Sequence, residues 1–104
     1  MITAAFYKKN EQFYKFRISG HSGYAESGSD IVCAAVSSMA FLTANNITNS
    51  FSLEADVSVN EENADLVCSL KSDDARGYAL IAGLHNELCT LAQDYPKYIR
   101  VIIN

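Results

Sequence analysis

Twice along this chain, a pair of short segments with apolar residues at every second position gives way to a longer segment with helical spacing, and that repeated cycle constrains the fold more than any other feature. Ile2 to Tyr7 and Phe13 to Ser19 alternate, with Tyr14, Phe16 and Ile18 predicted on one face and Lys15 and Arg17 on the other. Lys8 to Gln12 reads as the polar hairpin connection between them. Phe51, Leu53, Ala55, Val57 and Val59 alternate in the same way, as do Ala64, Leu66, Cys68 and Leu70, across the turn Asn60-Glu61-Glu62-Asn63. Between the two hairpins a helix is predicted to about Asn45, capped by Ser29 or Asp30. Its apolar residues, from Ile31 to Leu42, cover most of the circumference, as expected of a central helix buried on more than one side. A second helix opens at Ser72-Asp73-Asp74, where acidic side chains meet the positive helix end, and carries Tyr78, Ile81, Leu84, Leu88, Leu91 and Tyr95 before Pro96 stops it. Tyr98 to Ile103, rich in β-branched residues, predicts a last strand. The order β-β-α-β-β-α-β implies an α+β two-layer sandwich with the helices packed on one face of a mixed sheet, one domain over residues 1–104.

With 104 residues, 49% of them apolar, the chain can bury one core and little more. Its uninterrupted apolar runs, such as Ile31 to Val36, are too short to cross a bilayer. Lys8 and Lys9 follow a short apolar stretch, the reverse of a secretory signal, so a cytoplasmic protein with no membrane partner is expected. Three cysteines without a short repeated spacing suggest free thiols rather than a disulfide framework or a zinc pattern. A net charge of −4 argues against direct nucleic-acid binding, which needs clustered Lys and Arg. Mild acidity serves solubility first and attraction of a basic peptide second.

Chemistry concentrates around the segment Gly20 to Ser29, which has three glycines and no apolar period and reads as a loop. His21 lies at its start and Cys33 just beyond its end, in the first turns of a helix, so both could face one cleft. Cysteine reacts as the thiolate, and an unperturbed thiol of pKa about 8.5 is only about 3% ionised at pH 7. A helix N-terminus and an imidazolium each favour the ionised form. Asp30 has two candidate jobs, capping the helix or orienting His21 as a third triad member, and capping follows from position alone. Ser37, four residues after Cys33, shares its helical face and either serves the site or bonds back to the helix. On position alone, a cysteine among Ile, Val and Ala is more often a small buried hydrophobe than a nucleophile. Cys68, alternating with Leu66 and Leu70, reads as sheet core, and the pair His85 and Cys89 sits on an amphipathic helix that needs no metal to explain it.

The string Gly20-His21-Ser22-Gly23, followed by Gly28-Ser29-Asp30-Ile31-Val32-Cys33-Ala34-Ala35-Val36-Ser37, resembles the ribosomal-processing cysteine protease family, Prp. The resemblance implies a cysteine endopeptidase with no cofactor, in which His21 and Cys33 form the catalytic dyad, Gly20, Asp30 and Ser37 support it, and Ser22, Gly23 and Gly28 lie in a substrate loop. It further implies a homodimer that removes the N-terminal extension of large-subunit ribosomal protein twenty-seven after a pair of aromatic residues, during ribosome assembly. Two other readings stand beside it. One is an anion cradle formed by the Gly20 to Ser29 loop before a helix, although no Gly-Lys-Ser/Thr step supports it. The other is a ribosome-associated protein that grips the same tail without cutting it. Under the protease reading, the loop from Gly20 to Gly28 is expected to close over substrate and complete the dyad.

Overall fold

The computed structural model describes residues 1–104 except Ser22, residues 26–29 and Asn63. Strands β1 (Ile2–Lys9) and β2 (Gln12–Ser19) form a hairpin closed by only two residues. Asn10 and Glu11 both take left-handed backbone, with φ of 54° and 67°, the geometry whose twist matches antiparallel strands. Lys8, Lys9 and Gln12 therefore belong to the strands rather than to the five-residue connection expected from their polarity. The register slips between Tyr7 and Lys8, since Tyr7 pairs with Lys15 whereas Lys8 pairs with Phe13. This bulge swings Phe13, in place of the expected Tyr14, onto the core side, where its ring meets Phe6 edge-on at 5.7 Å. Lysine ammonium groups cover both faces here, Lys8 at 4.8 Å over Phe13 and Lys15 at 4.8 Å over Tyr7.

Helix α1 (Ile31–Asn45) follows, continuing through a π-helical turn over Asn46–Ser50, and leads to the second hairpin, β3 (Ala55–Asn60) and β4 (Asp65–Leu70). Helix α2 (Ala75–Asp94) then crosses over to β5 (Ile99–Ile103). The sheet order is β3-β4-β2-β1-β5, antiparallel except for the β1–β5 pair, in which Ile2 faces Ile99 and Phe6 faces Ile103. β4 and β5 are separated in the sheet by β2 and β1, a distance no tight turn can span, and α2 makes the crossing between them. The result is the expected two-layer α+β domain. One continuous core joins Phe6, Phe16, Ile18 and Cys68 of the sheet to Val32, Val36 and Ala40 of α1 and to Ile81, Leu84 and Leu88 of α2. Emptying the site of a fully buried ring such as Phe16 costs about 3–5 kcal/mol. Burial raises the Cys68 thiol to about 11, in keeping with its reading as core.

Two expectations for the apolar pattern do not hold. Phe51 and Leu53 precede β3 instead of starting it: left-handed backbone at Ser52 (φ 54°) turns the chain, so Leu53 drops into the core while Phe51 stays exposed with the Arg76 guanidinium 5.6 Å over its ring. Helix α1 is buried on one side only, through Val32, Val36, Ala40, Thr43 and Ala44, and leaves Leu42 62% exposed. In a two-layer fold a helix has a single sheet face to bury, and the surplus apolar surface must find another use. By length and composition Ile31–Ser50 is also apolar enough to cross a membrane, which the search for uninterrupted runs overlooks because Ser37, Ser38 and Thr43 are only mildly polar. Part of that apolar character serves the core, through the stripe of Val32, Val36, Ala40 and Ala44.

Two sites test this architecture. Gly20 ends β2 with φ +87°, and a Cβ there would stand 2.6 Å from the carbonyl oxygen of Met1. Gly20→Ala is expected to lose about 1–3 kcal/mol of stability in chemical denaturation, and unchanged stability would contradict the close approach. At the start of α2, one Asp74 carboxylate caps the helix through the Arg76 N–H and holds the Arg76 guanidinium at 2.8 Å. Those bonds lower its pKa from 3.8 to about 2. Because the folded-state value is depressed, the stabilisation is complete above pH 4 or so and fades as pH falls toward about 2. The stability gap between wild type and Asp74→Asn should therefore narrow between pH 5 and pH 2, whereas a gap independent of pH would contradict the charged cap.

Candidate active site

The start of α1 is set by one carboxylate oxygen. Asp30 adopts extended backbone, and its Oδ1 accepts hydrogen bonds from the N–H groups of Val32 at 3.0 Å and Cys33 at 2.9 Å. The Ala34 N–H donates to the Asp30 carbonyl at 3.1 Å, closing the first helical turn. Of the two jobs open to Asp30, capping is one that its geometry performs. Cys33 becomes the third residue of the helix, its backbone held on both sides by the same cap.

Helical spacing then assigns faces. Val32, Val36 and Ala40 point to the sheet, while Cys33, Ala34, Ser37 and Phe41 flank them along a cavity of about 850 Å³. Ile2, Ile18 and Leu66 of the sheet supply apolar lining, and Val59 with the β3–β4 connection at Asn60, Glu61 and Ala64 lines it too. Gly20, His21, Gly23 and Asp30 complete it. Every described residue singled out from the motif thus lines one cavity: Gly20, His21, Gly23, Asp30, Cys33 and Ser37. Ser22 and Gly28 lie outside the described residues, as do residues 26 and 27 of the span in which loop closure was expected. Cys33 is half-buried, while His21 and Ser37 are exposed to the cavity.

What positions His21 is the end of β2. The chain leaves the sheet at Gly20, pressed against the Met1 carbonyl, and His21 follows immediately. The cavity wall opposite α1 escaped sequence reasoning. Val57 and Val59 alternate as core residues should, and they share a face with buried Cys68 and Leu66, yet they are 41% and 49% exposed. They lie on an edge strand, and edge position is a property of the assembled sheet that local periodicity does not carry.

The second thiol–imidazole pair has a different setting. His85 Nε2 stands 3.5 Å from Cys89 Sγ, but the imidazole ring is packed on Phe13 at 4.7 Å and Phe6 at 5.0 Å. Among the described residues no three His, Cys, Asp or Glu side chains converge as a metal site would need. This pair caps the aromatic end of the core, away from the cavity.

Comparison with known proteins places this geometry in a family. The sequence profile of the family described as "Cysteine protease Prp" matches residues 1–100. The chain is 37% identical over 90 residues to the ribosomal processing cysteine protease Prp of Mycoplasma pneumoniae, covering 83% of both sequences. It is 28% identical over 110 residues to the protein of the same name from Bacillus subtilis, covering 100% of this chain and 98% of that one. Its fold superimposes with a TM-score of 0.92, at 24% identity and over the full length of both chains, on the crystal structure of an essential ribosomal processing protease Prp from S. aureus in complex with a covalently linked product peptide. With its cysteine and histidine on one cleft and residues 1–100 matched by the family profile, the chain belongs to the Prp family and is a cysteine protease.

Proposed function

We propose that this protease removes the N-terminal extension of large-subunit ribosomal protein twenty-seven, cutting after an aromatic pair, with Cys33 as nucleophile and His21 as its base. The observation that carries the reading is that His21 and Cys33 line the same cavity, one just after a strand end and the other at a capped helix start. Ile18, Val36, Phe41 and Val59 make much of that cavity apolar, which suits aromatic substrate side chains. The names of the relatives point to ribosomal processing.

In the reaction, the Cys33 sulfur attacks the scissile carbonyl carbon as its proton passes to His21. Collapse of the tetrahedral intermediate breaks the C–N bond, and His21 gives that proton to the departing amine, leaving a thioester on Cys33. Water, deprotonated by His21, then hydrolyses the thioester and restores the thiol. The N–H groups of Val32, Cys33 and Ala34 are already bonded to Asp30, so the developing oxyanion draws its donors from elsewhere around the cleft. The same bonds weigh against an anion cradle at this helix end, because the Asp30 carboxylate fills the place an anion would take with its own negative charge. Ser37, one turn along the cavity from Cys33, keeps a supporting role in the reading. The reading includes a homodimer acting in the cytoplasm, supported by the exposed apolar side chains Ile31, Leu42 and Ile103.

Two measurements test the reading. Digestion of a peptide bearing the extension, followed by mass spectrometry, should give one cut after the aromatic pair. Cys33→Ala should abolish it and His21→Ala should lower kcat by about 10²- to 10⁴-fold, with both variants folded. Peptide that is bound but never cut by the wild-type protein would favour the non-cutting binder. Light scattering should give twice the chain mass at micromolar concentration, and a monomer would refute the dimer.

A further inference from the structure

His21 sits between two fixed points. The first is Gly20, whose left-handed backbone presses on the Met1 carbonyl. The second lies three residues after the histidine, at Tyr24. Its ring is 41% exposed, yet it stands edge-on to Tyr95 at 5.6 Å and to Tyr98 at 5.2 Å. Edge-to-face geometry at these separations is the attractive arrangement of aromatic pairs, and here one ring engages two partners at once.

The partners are themselves immobilised by backbone bonds. Tyr95 ends α2, donating to the Leu91 carbonyl at 3.0 Å, and its own carbonyl accepts from Tyr98 at 3.0 Å and Ile99 at 3.2 Å. The Tyr98 carbonyl accepts from the Ile2 N–H at 2.8 Å, beside the Met1 carbonyl that Gly20 touches. Both anchors of the His21 segment are thus moored to one corner of the molecule, where α2 ends and β1 and β5 begin in parallel. Gly23, just before the anchor, has φ +73°, and a Cβ there would meet nothing within 4 Å.

We propose that Tyr24 is a positioning residue for the protease reaction, its ring clamped by Tyr95 and Tyr98 so that, together with Gly20, it holds His21 toward Cys33. Resting on the dyad assigned above, this adds a residue that touches neither substrate nor thiol in its role. With the clamp gone, His21 keeps its chemistry but spends a smaller fraction of time in reach of the thiol, and rate falls in proportion to that fraction.

The test combines peptide turnover with the pH profile of Cys33 alkylation by iodoacetamide, read by mass spectrometry of the Cys33 peptide in the full chain. Tyr24→Ala is expected to lower kcat by about 10- to 100-fold, with KM changed by less than about 3-fold. Its alkylation profile should shift toward that of His21→Ala. Tyr24→Phe keeps the ring and should restore both kcat and profile. A rise in KM with kcat and profile unchanged would overturn the proposal by making Tyr24 a substrate contact. A lowered melting temperature with the profile unmoved would overturn it by making the ring merely structural. If wild type and His21→Ala share one alkylation profile, the dyad itself fails, which is a separate outcome from failure of the clamp.

Discussion

The hydrogen bonds from Val32 and Cys33 to one oxygen of Asp30 decide where α1 begins, and most of the site follows from that starting point. Without the cap the first turn, which carries Val32 and Cys33, would leave its N–H groups unpaired and fray. The carboxylate also consumes the first-turn donors and sets negative charge at the helix end, which removes an anion site from a place where glycine loops and helix starts often make one.

Around that cap, the sheet supplies the other half of the cleft by leaving work undone. The two helices cover the middle of the five-stranded sheet, while the core-side residues of β3, Val57 and Val59, remain open at the edge. The flank of α1 that does not reach the sheet faces the same opening with Ala34, Ser37 and Phe41. An apolar helix larger than its burial requires and an edge strand more apolar than its exposure warrants are explained together if the groove between them receives an extended, apolar chain.

Much of this was legible in the sequence, and the particular misses are instructive. Element order and the core face of β4 followed from periodicity because alternation and helical spacing are local signals carried by Leu66, Cys68 and Leu70 or by Ile81, Leu84 and Leu88. The bulge that exchanges Tyr14 for Phe13 was not legible, since period-two reading has no symbol for an extra residue. Nor was the exposure of Val57, Val59 and Leu42, which depends on which strand ends up at the edge and on there being only one sheet face to cover. His21, Asp30 and Cys33 were singled out by motif and resemblance, whereas Val59 and Glu61 lie far from the motif in sequence and join the cavity only through the fold.

As the proposed nucleophile, Cys33 must become covalently acylated on its sulfur during peptide cleavage. Acid-quenching the wild-type protein within the first turnovers on a peptide containing the aromatic pair, then taking its intact mass and mapping the modified residue, tests that claim most directly. The expected result is a transient species heavier by the N-terminal peptide fragment less one water, mapped to Cys33 and absent in Cys33→Ala. Cleavage products accumulating with no adduct on Cys33 at any quench time, or with the adduct on Cys89, would contradict it.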